Sequence, residues 1–415
     1  MNILEEANKL MEMDQVDMAT KIINGHLLEA TDDELYWIAE FYMNWGFLVE
    51  AEDILTQLLK KYPNESDLKL YLTDIYIEQE MDEKAIDLLN SIPIEDDSYI
   101  QALVALADLY QAQGLFEVAE QKLLQAKNRS PSEPIIDLAL GELYYSFGDF
   151  KRAITFYEKA SKAQVPNIPL HERLAESYAN VGEYELALTY YEKTNSDNPD
   201  LLFKYGVTAY QADRRDIAIH VWEKLIEEDP YYHTAYIQLA KAYEDEELIR
   251  EAYETTLRGL KLDEFNKELY FMAGSLAHKC NLDDESEKHV REAVSLDTDY
   301  KEAVLFLIEL LKGMDKQADI IELIQHIQES GGDDPLYDWE IARAFNEIES
   351  YNDALNYYRE AYNSLQHDSD FLREYGYFLM EEGRTGEAIN VFTAYLEKEP
   401  QDDEIVEYVN RLKQM

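Results

Sequence analysis

Residues 106–131 read LADLYQAQGLFEVAEQKLLQAKNRSP, in which a small residue, a tyrosine, a glycine, an alanine and a proline stand in a characteristic order. Ala107 and Tyr110 are three apart, as on one face of a helix, and Gly114 follows where such a helix must stop. Ala119 lies inside a second stretch with helical patterning, and Pro131 closes the segment because proline cannot continue a helix. The segment therefore predicts two antiparallel helices joined by a tight turn.

The same arrangement recurs along nearly the whole chain of 415 residues. The residue equivalent to Ala119 is the marker of each repeat, and other positions are counted from it. Successive markers are 34 residues apart, except for steps of 32 before Ala51 and 31 before Ala218. The twelve markers are Ala19, Ala51, Ala85, Ala119, Ala153, Ala187, Ala218, Ala252, Ser286, Ile320, Ala354 and Ala388. Two helices cannot bury their apolar faces alone, so we expect neighbouring repeats to stack.

This pattern resembles the tetratricopeptide repeat (TPR), and residues 174–199, LAESYANVGEYELALTYYEKTNSDNP, show it equally clearly. The resemblance implies an all-α fold, a right-handed α-solenoid (superhelix) of about twelve helix-turn-helix repeats with a C-terminal capping helix. It also looks like a bacterial-type cytosolic array. For function the resemblance implies only a scaffold that many systems use for protein–protein interaction.

A short repeat predicts where the array divides. Repeat 7, around Ala218, lacks three residues, so we predict an N-terminal array over residues 1–198 and a C-terminal array over 199–402, with six repeats each. Residues 403–415 place Ile405, Val409 and Leu412 on one helical face. That pattern is typical of a capping helix, which covers the open end of a repeat array.

The composition excludes several classes of partner. The chain has 87 acidic and 37 basic residues and a net charge of −50, which repels nucleic acids and anionic lipid surfaces. A single cysteine, Cys280, excludes an intramolecular disulfide and suits a reducing compartment. The first ten residues lack the basic and apolar regions of a signal peptide, and no apolar run could cross a membrane. We therefore expect a cytoplasmic protein with no membrane insertion.

No motif predicts catalysis, a metal site or a cofactor. The sequence lacks a glycine-rich phosphate loop, an HExxH motif and a GxSxG elbow, and its eight histidines occupy unrelated repeat positions. We expect no catalytic residues, no metal ligands and no cofactor.

An acidic stripe is the strongest functional candidate. Position −11 is acidic in five consecutive repeats, and apolar residues accompany it at positions −15 and −8 on the same helical face. The acids are Glu40, Asp74, Asp108, Glu142 and Glu176, and the companions are Tyr36, Leu70, Val104, Leu138 and Tyr145. In proteins that look like this, that face lines a concave groove for peptides. The alternative is that these acids are simply solvated surface of an acidic protein.

The groove positions also indicate what kind of segment would bind. Some TPR proteins hold acidic chaperone tails through Lys, Asn and Arg, but repeats 2–4 carry no Lys or Arg at these positions, so basic or amphipathic segments are favoured. In repeats 7–12 position −11 is mixed in character, which predicts a groove of mixed charge there. Those residues are Val207, Lys241, Ser275, Glu309, Arg343 and Tyr377.

Three functions follow as hypotheses. The favoured one is a non-enzymatic scaffold or adaptor whose acidic concave groove binds basic or amphipathic protein segments. The alternative is a structural subunit of a larger assembly, or a self-associating TPR protein, and neither hypothesis fixes an oligomeric state. A TPR-type regulatory phosphatase is less favoured, because such enzymes place a helical bundle before repeats that here start within the first residues.

Overall fold

A computed structural model of the chain describes residues 3–162, 169–194 and 196–413. These residues form 25 α-helices and no β-strand, and none of these helices has the length and apolar content that a bilayer crossing requires. The chain divides into two compact units, Met1–Asn195 and Ser196–Met415. The domain boundary proposed at 198/199 stays a prediction.

Among its described residues, unit 1 contains six antiparallel helix pairs. They are α1 (Ile3–Glu12), α2 (Val16–His26), α3 (Asp32–Asn44), α4 (Leu48–Lys61), α5 (Ser66–Glu78), α6 (Asp82–Asn90), α7 (Tyr99–Ala112), α8 (Phe116–Arg129), α9 (Pro134–Ser146), α10 (Phe150–Lys162), α11 (Leu170–Asn180) and α12 (Tyr184–Thr194).

Unit 2 adds six pairs and one further helix. They are α13 (Pro199–Gln211), α14 (Arg215–Glu228), α15 (His233–Asp245), α16 (Ile249–Leu260), α17 (Lys267–Lys279), α18 (Asp283–Leu296), α19 (Lys301–Gly313), α20 (Gln317–Glu329), α21 (Pro335–Glu347), α22 (Tyr351–Leu365), α23 (Ser369–Glu381), α24 (Thr385–Lys398) and α25 (Asp403–Leu412). From α4 to α10 in unit 1 and from α14 to α24 in unit 2, each second helix also packs against the helix that follows it. The predicted all-α solenoid of twelve helix pairs with a C-terminal helix is confirmed.

The marker residues lie buried on the second helix of each pair. All twelve markers are on second helices and have no solvent-exposed surface, including the two that are not alanine. Ser286 is accommodated because its hydroxyl donates a hydrogen bond of 2.7 Å to the carbonyl of Gly274 in the paired helix. Burial of the marker therefore explains the 34-residue period.

Positions −12 and +4 share one volume inside each pair. A Cβ atom at Gly376 would lie 2.5 Å from ring carbon Cε1 of Phe392, and one at Gly141 would lie 2.6 Å from the ring of Tyr157. In repeat 4 position −12 is Ala107 and position +4 is the smaller Leu123, and both are buried. The rings of Tyr157 and Phe392 thus fill the space that a side chain at Gly141 or Gly376 would need.

The turn inside every repeat has a left-handed residue at position −5. Five repeats have glycine there with φ between 71° and 85°, as the sequence predicts for a helix that must stop. The other seven hold a non-glycine residue at φ of 58° to 61°. These are Asp14, Glu80, Asp213, Glu247, Asn281, Asp315 and Glu349. All twelve repeats therefore share this turn geometry, although only five of them have glycine, the residue that favours it.

Tyrosines at position −9 connect neighbouring repeats. The hydroxyl of Tyr178 donates to Glu158 at 2.7 Å, and that of Tyr42 donates to Asn24 at 3.1 Å, in each case on the second helix of the preceding repeat. Tyr243 makes the same bond to Glu223 in unit 2. Each ring thus packs in the core while its hydroxyl has a partner, as buried tyrosines require.

The three residues missing from repeat 7 belong to the turn between repeats. The proline at position +12 elsewhere precedes the next helix by three residues, as Pro63 precedes α5 and Pro230 precedes α15. Pro199 is instead itself the first residue of α13, where Asn198 caps the helix by accepting from the amide of Leu201 at 3.2 Å. The helix pair of repeat 7 is consequently whole.

The last helix covers the apolar end of repeat 12. Ile405 and Val409 of α25 are buried, and the ring of Tyr408 lies edge-on to Phe392 with centroids 5.9 Å apart. The predicted capping helix is confirmed by this packing.

Candidate functional site

The five predicted acids lie on the first helices of repeats 2–6, namely α3, α5, α7, α9 and α11. Contacts between these helices show that they run side by side in unit 1. The ring of Tyr36 in α3 meets that of Tyr71 in α5 edge-on at 5.3 Å, and the hydroxyl of Tyr145 in α9 donates to Glu176 in α11. Position −11 of successive repeats therefore lies along one face.

Three of the five acids form an open acidic face, defined here as Glu40, Asp74 and Asp108. All three are exposed, and within the described residues no hydrogen bond or ion pair reaches their carboxylates. The surrounding protein excludes water from the Asp108 carboxylate, and this desolvation raises the pKa of Asp108 above its usual range. The pKa of Asp74 is raised by the same desolvation and, secondarily, by the charge of Glu78. At Asp74 and Asp108, unneutralised negative charge is thus held where solvation is reduced.

The other two acids are bridged by an arginine. Arg173 donates from Nε to Glu142 at 3.0 Å, and its Nη1 lies 3.6 Å from Glu176. Tyr157 also donates to Glu142, at 2.9 Å, and the Arg173 guanidinium lies 4.9 Å from the ring centroid of Tyr145. This group is the bridged segment of the stripe, in which one arginine compensates one of the two negative charges.

The apolar companions separate into surface and core residues. Tyr36, Val104 and Tyr145 are partly exposed and can contact a bound segment. Leu70 and Leu138 are 8% and 9% exposed, so they serve mainly the packing between helices. Ile77, at position −8 beside the open acidic face, is 38% exposed and offers apolar surface that Leu70 does not.

Sequence reasoning missed Arg173 and Tyr71 as members of this face. Both lie at position −14, where Arg173 contacts Glu142 at position −11 of the preceding repeat and Tyr71 contacts Tyr36 at position −15. The signal that could have found Arg173 is its spacing of 31 residues from Glu142, which places an arginine and an acid on adjoining helices.

In unit 2 the predicted mixed charge takes the form of a second ion-pair group. Arg343 donates from Nε to both Glu374 oxygens at 2.9 and 3.0 Å, and from Nη1 to Glu340 at 2.8 Å. Burial alone would raise the pKa of Glu374, but its hydrogen bonds from Arg343 and from Trp339 hold that pKa below its usual range. The Trp339 indole and the Tyr358 hydroxyl each donate to Glu374 at 2.8 Å.

The acids of either unit do not assemble a metal centre in the described ranges. No group of three or more His, Cys, Asp or Glu side chains there is arranged to hold a metal ion. The stripe is a row of separate carboxylates, one in each repeat.

Comparisons with known proteins agree with the repeat architecture. Family models of YpiA-like tetratricopeptide repeats match residues 111–165, and those of the YpiA-like C-terminal repeats match residues 335–402. A general tetratricopeptide repeat model matches residues 48–107. Among solved structures, YrrB, a TPR protein with an unusual peptide-binding site, is 17% identical, covers 44% of this chain and 95% of its own, and has a TM-score of 0.38. The C-terminal part of a TPR repeat-containing protein from Cytophaga hutchinsonii is 16% identical, covers 56% and 96%, and has a TM-score of 0.48.

One relative matches over its full length. The TPR repeat-containing protein YpiA of Bacillus subtilis (strain 168) is 37% identical over 415 residues, which cover 99% of this chain and 98% of YpiA. The resemblance to tetratricopeptide repeats is thereby confirmed over the whole array, and the chain belongs to the YpiA-like family of TPR repeat-containing proteins.

Proposed function

We propose that the protein is a non-enzymatic interaction scaffold whose open acidic face binds basic or amphipathic segments of partner proteins. The observation that carries this proposal is the lack of any internal partner, within the described residues, for Glu40, Asp74 and Asp108. The contrast with Glu142 and Glu176 matters, because both of those acids already have Arg173 as an internal partner. The first three remain available to cations of another protein.

The electrostatics of the face support a cationic partner. Desolvation destabilises the ionised carboxylate of Asp108. A Lys or Arg side chain placed beside it would stabilise that ionised form, because an opposite charge favours it. The field of the surrounding acids also accelerates encounter with basic segments at low ionic strength. Exposed parts of Tyr36, Val104 and Ile77 would then supply apolar contact.

The spacing of the carboxylates suits a bound segment that crosses several repeats. Packed helices are separated by about 8–10 Å, so acids one repeat apart offer separate points of contact along such a segment. A cytoplasmic location is part of the proposal, and its support is the absence of a second cysteine that could pair with Cys280.

A pair of designed peptides tests the proposal. One is an amphipathic helical peptide of about 18 residues with Lys on its polar face and Leu on its apolar face, and the other carries Glu in place of Lys. Calorimetric titration should detect binding of the Lys peptide only, with an affinity that falls when salt is raised from about 20 to 200 mM. The triple variant Glu40→Gln/Asp74→Asn/Asp108→Asn should weaken that binding by about tenfold or more at low salt.

A matched variant separates this face from net charge. Asp53→Asn/Asp87→Asn/Glu117→Gln removes the same charge from exposed positions on the second helices of repeats 2–4 and should bind the Lys peptide almost as the parent does. Equal loss in both triple variants would show that only the overall charge attracts the peptide. If the protein instead self-associates at high salt and binds neither peptide, the structural-subunit alternative is favoured.

A further inference from the structure

Unit 2 contains a cavity of about 490 Å³ formed by the first helices of repeats 10–12 and the second helices of repeats 10 and 11. Its wall includes Lys312, Arg343, Asn346, Glu347, Tyr377 and Glu381. The volume exceeds what one side chain occupies, and the lining combines both charges with aromatic rings. Which charge is available to a ligand depends on the internal pairing of these groups.

Both cations of the cavity are already paired. Arg343 is engaged by Glu374 through two N–H groups and by Glu340 at 2.8 Å, while its guanidinium lies 4.0 Å from the ring centroid of Trp339. Lys312 is paired with Glu309 at 2.8 Å and also with Glu340. An anionic ligand would have to displace these carboxylates, so the cavity does not favour one.

Two acids of the cavity are unpaired. Glu347 and Glu381 occupy position −7 of repeats 11 and 12, both are exposed, and no hydrogen bond or ion pair from the described residues reaches either carboxylate. The side-chain amide of Asn346 beside them is likewise without a partner among those residues. The charged groups of the cavity that lack an internal partner are therefore both carboxylates, which favour a cation.

An aromatic wall stands beside these acids. The ring of Tyr377 is held edge-on to Phe392 at 5.3 Å and lies 6.3 Å from Tyr408, so its orientation is fixed by packing. Tyr358 and Phe378 are buried and form the remaining aromatic lining. A fixed ring next to carboxylates suits a flat or rounded cation, which the ring quadrupole attracts.

We propose that this cavity binds a basic side chain, arginine or lysine, from a partner protein. The charged end would lie between the carboxylates of Glu347 and Glu381, and its aliphatic stem would lie against the ring of Tyr377. The arginine fork could additionally donate to the Asn346 amide oxygen. This site lies in unit 2 and uses none of the residues of the open acidic face.

A short capped peptide tests the site directly. Acetyl-Gly-Arg-Gly-amide is added, up to about 20 mM, to the isotopically labelled full chain, and nuclear magnetic resonance spectra are recorded at each step. This concentration is high because contact through a single side chain is weak. Signals of residues 345–348 and 376–382 should shift with saturation. In the control peptide citrulline replaces arginine, with which it is nearly isosteric but uncharged. This peptide should bind more weakly by about tenfold or more.

Variants assign the binding to the named groups. Glu347→Gln/Glu381→Gln should weaken binding of the arginine peptide by about tenfold, and Tyr377→Leu should weaken it several-fold, as expected for loss of a cation–π contact. The control Glu382→Gln/Glu397→Gln removes the same charge from exposed positions nearby and should leave binding unchanged.

Three results would overturn the proposal: no shift at the highest peptide concentration, equal binding of the citrulline peptide, or full binding by Glu347→Gln/Glu381→Gln. Because the reporting signals all lie in repeats 11 and 12, the outcome is independent of whether the open acidic face binds peptides.

Discussion

Arg343 in α21 is bonded to Glu374 in α23 by N–H···O contacts of 2.5 to 3.0 Å, and this pair is the charge-reversed counterpart of Glu142 and Arg173. In both pairs the first residue stands at position −11 and the second at position −14 of the next repeat. The array thus uses the same contact between neighbouring first helices twice, with acid and base exchanged.

The reversal predicts the result of a charge swap. Arg343→Glu should destabilise the C-terminal repeats by about 2–4 kcal/mol, because it leaves the partly buried Glu374 without its cation and places a further carboxylate beside Glu340. Arg343→Glu/Glu374→Arg should recover part of that loss, since it reproduces the order found at Glu142 and Arg173. Stability is recovered only in part, because Trp339 and Tyr358 no longer have the Glu374 carboxylate as a hydrogen-bond acceptor.

Denaturant unfolding of the single and double variants measures this coupling. The exposed pair Arg359–Glu387, at 2.9 Å, is the comparison, and breaking it should cost less than about 1 kcal/mol. A swapped variant no more stable than Arg343→Glu would disprove the equivalence of the two contacts.

A second prediction concerns the shared volume inside a repeat. Gly376→Ala should cost about 1–3 kcal/mol, because its new methyl group would meet the ring of Phe392. Gly376→Ala/Phe392→Leu should cost less than the sum of its single changes, as the natural combination at Ala107 and Leu123 suggests. Thermal unfolding checks this, and Gly386→Ala, whose Cβ would meet nothing within 4 Å, is the control. Strict additivity of the two changes would contradict the prediction.

A third prediction concerns the left-handed turns. Glu349→Gly should stabilise the protein by about 0.5–1 kcal/mol, because a side chain at φ of 60° is strained and glycine is not. Gly148→Ala, at φ of 85°, should destabilise it by about 1 kcal/mol for the same reason.

Glu349→Ala distinguishes backbone strain from charge. It removes the same negative charge near the end of a helix but retains the Cβ, so its stability should remain near that of the parent. If Ala stabilised as much as Gly at this position, relief of charge repulsion rather than of strain would be responsible.

A fourth prediction concerns pH. Desolvation, and then the charge of Glu360, raise the pKa of Asp338 to about 6, while Gln328 donates to it at 2.8 Å. A raised carboxyl pKa means that the folded protein binds the proton more tightly than the unfolded chain, so the ionised Asp338 destabilises the fold at neutral pH. Asp338→Asn should therefore stabilise the protein by about 1–2 kcal/mol at pH 7.5, allowing for partial exposure.

The advantage of Asp338→Asn should shrink as pH falls through 6 towards 4, where the native carboxyl becomes neutral. Unfolding midpoints of parent and variant across this range provide the measurement. An advantage that is constant with pH would assign the effect to side-chain packing rather than to the ionisation of Asp338.

The repeat architecture could be predicted because it depends on local spacing. The interval between Ala51 and Ala85 reflects two helices and two turns, and burial of both residues follows from it. The left-handed residue at Glu80 could not be inferred in this way, because the sequence signal for such a turn is glycine. There the packing of the helix pair overrides the local preference of the residue.

The candidate site was predicted only in part, for a different physical reason. The row from Glu40 to Glu176 follows from periodicity, but its division depends on Arg173 meeting Glu142 across the gap between two helices. Likewise, helical spacing places Leu70 on the same face as Asp74, yet packing against the neighbouring helix covers it. Contacts between repeats depend on the angle of stacking, which no pattern within one repeat encodes.

The bridge made by Arg173 also sets the length of the open acidic face. It leaves three consecutive carboxylates open, and helices packed about 10 Å apart place the first and third about 20 Å from each other. A partner that reaches all three needs about 14 residues as a helix or about 6 as an extended strand. If this face binds basic segments as proposed, it should therefore favour short basic stretches, and lengthening the stretch beyond that span should add little.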